Sequence, residues 1–213
     1  MKQPKFISGP PGTRKTSKWV VDKYKELLKK YSYKNIIILS HTNVAADEIK
    51  KEILKLSEME GVTKKAMKYK ICTIHAYCRS RLVGIKELFG YEDHISLTTI
   101  ESLFKLQRVT EVQFNADEHK FYRYLKDAHG MGKNIKEHWR LCDKASYSPY
   151  SLNSIEEMLP HYNKYKNDNH VCDYADMIQE FLDKAKEPDI DALIVDEAQD
   201  SNVPQRKALE KMS

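Results

Sequence analysis

Gly9-Pro10-Pro11-Gly12-Thr13-Arg14-Lys15-Thr16 stands directly behind the short apolar run Phe6-Ile7 and ahead of a long helical pattern. A strand that turns through glycines into a helix aims successive backbone N–H groups inward and adds the helix dipole, and together these surround an anion. Gly9, Pro10, Pro11, Gly12, Thr13, Arg14, Lys15 and Thr16 therefore read as a phosphate-binding loop. Lys15 would reach the β- and γ-phosphates of a nucleoside triphosphate, and Thr16 would place its hydroxyl on magnesium. The plain alternative is an ordinary Gly-Pro turn before a basic helix. Two readings of Arg14 stand, because the GxxxxGK(S/T) pattern expects glycine there. If the position needs positive φ or close approach to phosphate, a side chain costs about 1–3 kcal/mol or weakens nucleotide binding. If φ is helical, Arg14 projects outward or adds a phosphate contact.

Outward from the loop, apolar runs alternate with amphipathic stretches: a strand at Lys5–Ser8, a helix at Lys15–Lys30, a strand at Asn35–Leu39 and a helix at Asn43–Ser57. This alternation predicts parallel βαβ units. In the second helix Val44, Ala45, Ile49, Ile53 and Leu56 recur at helical spacing and are expected in the core. Lys70–Ile74 is a third strand candidate, followed by a helix from His75 to about Val83. Between Gly84 and Asn169 the chain becomes polar, aromatic-rich and helical in pattern, with Gly130-Met131-Gly132 and Ser148-Pro149 as breakers. A helix at Tyr174–Lys186 is stopped by Pro188, and Ile190–Val195 forms a last strand. Since the sheet resumes after residue 169, the middle segment reads as an inserted helical subdomain.

That last strand carries the second motif, Ile194-Val195-Asp196-Glu197-Ala198-Gln199-Asp200. The apolar residues Ala192 to Val195 run straight into Asp196, which places the acids at the C-terminal edge of the sheet, where open α/β folds bind ligands. Asp196 is placed to hold magnesium, directly or through water, and Glu197 to orient and deprotonate an attacking water.

Lys and Arg number 36 against 31 Asp and Glu, a net charge of +5 that suits a polyanionic partner without requiring one. The four cysteines, Cys72, Cys78, Cys142 and Cys172, form no CxxC pair and read as reduced, partly buried thiols of a cytosolic protein. No apolar run approaches the roughly 18 residues of a membrane span, so a soluble, cytoplasmic chain without a membrane partner is expected.

With these motifs in hand, the chain resembles superfamily 1 DNA helicases of the UvrD/Rep type. The resemblance covers their N-terminal ATPase domain and rests on Gly9–Thr16, on Ser40-His41-Thr42-Asn43-Val44-Ala45-Ala46, which looks like TFTNKAA, and on Thr73-Ile74-His75-Ala76, which looks like TFHA. Asp173-Tyr174-Ala175-Asp176-Met177 is similar to DFxDL, and Asp196–Asp200 to DExQD. It implies a RecA-like P-loop NTPase: an α/β fold with a parallel sheet flanked by helices, interrupted by an inserted mainly helical subdomain. The boundaries would be 1–83 and 170–213 for the two parts of the ATPase core and 84–169 for the insertion. ATP and Mg2+ are the implied cofactors. Lys15, Thr16, Asp196 and Glu197 would serve the nucleotide, with Thr16 and Asp196 on the metal, and Gln199 would sense the γ-phosphate. Ser40, His41, Thr42, Asn43, Thr73 and His75 would line a path for single-stranded DNA, where short polar side chains bond phosphates and a ring stacks on a base. His41 stands where the family usually has phenylalanine. Asp173 and Asp176 read equally as a functional pair or as a cap and first-turn acid of the following helix.

Family members continue beyond this motif into a second RecA-like domain, whose arginines complete the ATP site. The chain is therefore expected to be the N-terminal part of an ATP-dependent helicase with 3′-to-5′ polarity. Alone, it is expected to turn over ATP slowly or not at all and to depend on a second RecA-like domain or chain. Two rivals make different predictions. A degenerate DNA-binding or regulatory remnant would bind DNA without nucleotide dependence, and a phosphate-loop kinase would give no reason for Thr42-Asn43, Thr73-His75 and Gln199 to occur together. The tyrosines Tyr122, Tyr124, Tyr147, Tyr150, Tyr162 and Tyr165 lie among basic residues in the insertion and are read mostly as its aromatic core.

Overall fold

The apolar run Ile36 to Leu39 forms the body of strand β1 (Ile36–Ser40), all of whose residues are buried. An uninterrupted apolar run, rather than an alternating one, is what a strand covered on both faces requires. In the computed structural model, which describes residues 15–82, 93–94, 120–148, 150–168, 171–186 and 188–213, β1 is the middle strand of three. β2 (Ile71–Thr73) and β5 (Ala192–Val195) pair with it on either side, both parallel. The expected strand at Lys5–Ser8, the loop residues Gly9 to Arg14, Val83, Pro149, Asn169 and residues 84–92 and 95–119 of the expected insertion lie outside the described residues.

The chain divides into two compact units, the first formed by Met1–Arg81, Phe181–Ser201 and Gln205–Ser213 and the second by Leu82–Glu180 and Asn202–Pro204. In the first unit, helix α1 (Lys15–Leu28) packs on α2 (Asn43–Ile53), and α2 packs on β1 and β2. Val20 and Tyr24, one turn apart on α1, enter the same core as Ile36, Ile38, Ile49 and Ile53. Each such aliphatic side chain contributes about 1.5–3 kcal/mol relative to exposure. Ile49 and Ile53 are fully buried as the helical spacing predicts, but Val44 is 80% exposed and Ala46 takes the core position instead. Val44 lies about 200° around the helix from Ala46, so both cannot face the sheet.

α2 also ends earlier than expected. After Ile53 the backbone bonds shorten to an i−3 spacing, with Lys55 N–H donating to Glu52 and Leu56 N–H to Ile53. The chain then makes a 3-10 turn at Ser57–Met59 that buries Met59. Two of the remaining helices match the expected segments, while the last one, after Asp200, is not among those expected. α3 (Ile74–Leu82) buries Ile74, Tyr77 and Cys78. The residues of α7 (Tyr174–Lys184) from Phe181 onward and those of α8 (Val203–Met212) from Gln205 onward belong here, and Lys211 of α8 donates to the carbonyls of Phe181 and Leu182 near the C-terminal end of α7.

The second unit holds α4 (Lys120–Gly130), α5 (Ile135–Leu141), α6 (Leu152–Asp168) and a short parallel pair, β3 (Asp93–His94) with β4 (Val171–Cys172). Tyr124, Tyr147, Tyr150 and Tyr162 are buried in its core, with Tyr122 and Tyr165 packed against them. Tyr124 meets Tyr147 edge-on with ring centroids 5.0 Å apart, and Phe121 meets Tyr162 edge-on at 6.0 Å, the geometry that the ring quadrupole favours. α5 begins with a capping box between Asn134 and Glu137. α4 ends in a Schellman motif, with Lys133 N–H on the Ala128 carbonyl, Gly132 N–H on that of His129, and Gly132 at φ +64°. A Cβ added at Gly132 would lie 2.8 Å from Val203 Cγ1. Gly132→Ala is therefore expected to destabilise this unit by about 1–3 kcal/mol, read as a shifted denaturant midpoint of Trp139 fluorescence.

Candidate functional site

Parallel pairing sends the C-terminal ends of β1, β2 and β5 to one edge of the sheet, and three of the singled-out segments leave from that edge. The register pairs Ser40 with Thr73 and Leu39 with Val195. Ser40–Asn43, Thr73–His75 and Asp196–Gln199 thus start side by side although they lie far apart in sequence. The β1–β5 ladder extends one step further, because Asp196 N–H donates to the Leu39 carbonyl at 2.8 Å. This bond places the Asp196 carboxylate just beyond the sheet, where it is 7% exposed.

Ser40 is buried as well, and its hydroxyl donates to Asp196 Oδ2 at 3.4 Å. The sequence reading put Ser40 on a DNA path, but the folded chain turns its side chain to the acidic motif. After Asp196 the backbone takes an unusual step. Glu197 has φ 53° and ψ 42°, the one non-glycine residue at positive φ among the described residues. Such a conformation costs about 1–3 kcal/mol and persists where surrounding structure enforces it. Here a 3-10 turn at Ala198–Asp200 enforces it, closed by Asp200 N–H on the Glu197 carbonyl and Ser201 N–H on that of Ala198. The turn leaves Glu197 and Gln199 exposed, and the Gln199 amide donates to the Glu197 carboxylate.

The polar residues after β1 and β2 have local duties too. Thr42 caps α2, its Oγ1 accepting from Ala45 N–H at 3.2 Å, and Thr73 accepts in the same way from Ala76 N–H at the start of α3. A cap uses the side-chain oxygen on one side only, so Thr42 and Asn43 remain exposed. His75 is half-buried in the first turn of α3. His41, also half-buried, points back to the acidic turn with Nε2 3.1 Å from the hydroxyl of buried Ser201. The reading of the motifs missed Ser201, which lies one residue past DEAQD and carries no signal of its own.

The nucleotide loop contributes what is described of it, the start of α1 at Lys15. No acidic residue occupies the first turn of this helix, so the helix supplies no carboxylate of its own to its N–H groups and positive dipole end. Among the described residues no trio of His, Cys, Asp and Glu is grouped as a metal cage. Magnesium does not need one, because it is ordinarily held by one or two carboxylates together with phosphate oxygens and water. A carboxylate fixed at a strand end and oriented by a serine hydroxyl fits that role.

In the second unit Asp173 and Asp176 cap α7 reciprocally: Asp176 N–H donates to Asp173 Oδ1 and Asp173 N–H to Asp176 Oδ2, each at 2.9 Å. Lys166 Nζ, from α6, bridges them at 3.1 Å and 2.8 Å, and Tyr162 donates to Asp173 Oδ2 at 2.9 Å. Burial raises the Asp176 pKa and the neighbouring Asp173 charge raises it further. Burial works the same way on Asp173, but Lys166 and the N–H of Asp176 outweigh it and hold that carboxyl below its usual value. The capping reading of this pair is thus what the geometry displays, with Lys166 added as a partner.

All four cysteines are free of disulfides, and burial pushes the Cys72 thiol up to about 12, far from a reactive thiolate. Among the described residues no helix is long and apolar enough to cross a membrane.

The model of the UvrD/REP helicase N-terminal domain matches residues 1–213. The chain belongs to that family. Among the described residues the three parallel strands flanked by helices accord with the RecA-like domain of such helicases, and a helicase-type function follows from membership. Comparison with curated proteins gives no match.

Proposed function

We propose that this chain is the ATP-binding motor domain of a DNA helicase, binding ATP with Mg2+ and single-stranded DNA at the C-terminal edge of its sheet. One observation carries the reading: parallel strands bring Ser40–Asn43, Thr73–His75 and Asp196–Gln199 to a single edge, with Asp196 buried at the end of β5 and hydrogen-bonded to Ser40 of the middle strand. The loop Gly9–Thr16 would cradle the phosphates, Lys15 would neutralise them, and Thr16 with Asp196 would hold the metal. When bound, Mg2+ offsets the charge of the β- and γ-phosphates and fixes their orientation. Glu197 would accept a proton from the attacking water, and Gln199 would exchange its bond to Glu197 for one toward the terminal phosphate. Thr42, Asn43, Thr73 and His75 would meet the strand. Movement is 3′-to-5′ by resemblance, and a second RecA-like domain supplies the remaining groups of the ATP site. The ATPase core would comprise residues 1–83 and 170–213, with 84–169 as the inserted helical subdomain; the two units observed divide close to the first boundary, at Arg81 and Leu82, but group residues 170–180 and Asn202–Pro204 with the second unit.

The test is a pair of titrations, of a fluorescent ATP analogue with magnesium or with chelator, and of a labelled oligothymidylate at several salt concentrations. Magnesium-dependent nucleotide binding is expected, together with DNA binding whose log affinity falls linearly with log salt. DNA binding without any nucleotide binding would instead favour the non-catalytic remnant. Loss of both would remove the reading.

A further inference from the structure

The end of β1 touches the acidic turn at both of its ends. At the near end Leu39 accepts from Asp196 N–H at 2.8 Å and Ser40 donates to Asp196 Oδ2 at 3.4 Å. At the far end His41 Nε2 lies 3.1 Å from Ser201 Oγ. Between those attachments the turn is closed on itself by Asp200 N–H to Glu197 and Ser201 N–H to Ala198. A segment tied at both ends and bonded internally moves as one piece, so a displacement of Ser201 is felt at Gln199 and at Glu197 with its left-handed backbone. The segment that holds Ser201 is the one that continues directly into Thr42 and Asn43, both exposed to solvent. His41 differs from these two neighbours in being half-buried with its ring nitrogen committed inward.

From this we infer that His41 and Ser201 form a latch through which single-stranded DNA at Thr42 and Asn43 adjusts the position of Glu197 and Gln199. The inference rests on the reading given under Proposed function and assigns a division of labour within it. His41 is a positioning residue that acts through Ser201, while its exposed neighbours meet the strand. A ring without a nitrogen at this place, as in the phenylalanine that the family usually carries, can stack on a base but cannot make this bond. The latch is therefore a property of this chain's own His41–Ser201 pairing. Energetically it needs only two arrangements of the turn that differ in affinity for nucleotide, with DNA favouring one of them.

Coupling of this kind is reciprocal in binding, so it can be read without turnover. The experiment measures the affinity of the full chain for labelled oligothymidylate with and without saturating magnesium and a non-hydrolysable ATP analogue. The parent, Ser201→Ala and His41→Phe are compared, with hydrogen exchange followed over residues 196–201. In the parent, nucleotide is expected to change DNA affinity by about tenfold, within the usual range of allosteric coupling. Ser201→Ala should keep the affinity for each ligand alone within about twofold yet bring the coupling ratio close to one, and exchange over the turn should quicken. His41→Phe should lose the coupling in the same way, whatever its ring does to the DNA affinity itself. Coupling and exchange that stay at the parent's values in both variants overturn the latch and leave the helicase reading standing. Absence of ligand binding in the parent sinks both, and so separates the two failures.

Discussion

Lys15→Ala is expected to lower the affinity of the chain for Mg-ATP by at least about thirtyfold, the low end of the cost of removing one member of a desolvated, hydrogen-bonded charge pair. The expectation is built on the start of α1. Helix N-termini leave N–H groups unsatisfied and carry a partial positive charge. Nature commonly answers this with an Asp or Glu in the first turn, as α5 does with Glu137, but α1 has none. Its first turn instead holds Lys15 and Lys18, so the helix end and the basic residues of that turn share one sign, which favours an anion. A triphosphate meets that demand, and Lys15, at the first helical position, is the cation that the loop pattern aims at it. Lys18→Ala is the matched control. Lys18 is exposed and would act only as a screened surface charge, so its replacement should change affinity less than about threefold. Titration of a fluorescent ATP analogue in magnesium reads both variants, and far-UV circular dichroism checks that each keeps its helix content. Equal affinity of Lys15→Ala and parent would remove the triphosphate from the start of α1, and the reading of Gly9–Thr16 with it.

Much of the parallel sheet is legible because its signals are local. The run Ile36 to Leu39 can hardly be anything but a strand buried on both faces, and Ala192–Val195 leads into Asp196 in the same way. The gathering of Asp196, Thr73 and Thr42 at one sheet edge follows from parallel pairing alone, once the strands are recognised. What stayed hidden depends on which way a side chain turns after the chain has folded. Val44 matched the periodicity of α2 as well as Ala46 did, and only the contact with the sheet decided between them. Ser40 looked like a polar residue of a binding loop, but a strand end beside Asp196 gave its hydroxyl a partner inside. His41 and Ser201 are separated by a long stretch of sequence, so no spacing rule could join them. Lys166 is the clearest case. A lysine near the end of a polar helix reads as a solvated charge, and nothing in its neighbourhood announces two acids on the next helix.

Lys166→Met should destabilise the second unit by about 3–5 kcal/mol, the usual penalty for removing one partner of a buried ion pair. Lys166 is 9% and Asp173 7% exposed, and one ammonium group serves both carboxylates. Methionine fills most of the space of the stem, so the lost term is charge rather than volume. Without Lys166 the two acids keep their burial and their mutual repulsion while losing the cation that offsets both, and each is then easier to protonate. The pH dependence follows from that change. In the parent, Asp173 is held below its usual value, so its contribution is present above the unfolded carboxylate range and is lost as pH falls through the folded value. Lys166 itself is raised, because the two carboxylates outweigh its burial, and its contribution persists until pH rises through that raised value. In the variant both carboxylates are raised, so protonation favours the folded form and the stability gap to the parent should narrow as pH falls from neutral toward 5. Adding Asp176→Asn should recover part of the loss at neutral pH by removing one of the two stranded charges. Denaturant unfolding followed by Trp139 in a Trp19→Phe background isolates this unit, since the chain has only these two tryptophans. A loss below about 1 kcal/mol, or a gap that widens on acidification, would mean that the bridge is not what holds the start of α7. The predicted outcome would give the segment that resembles DFxDL a physical role in this chain: two acids that cap a helix and, through one buried lysine, tie that cap to the helix before it.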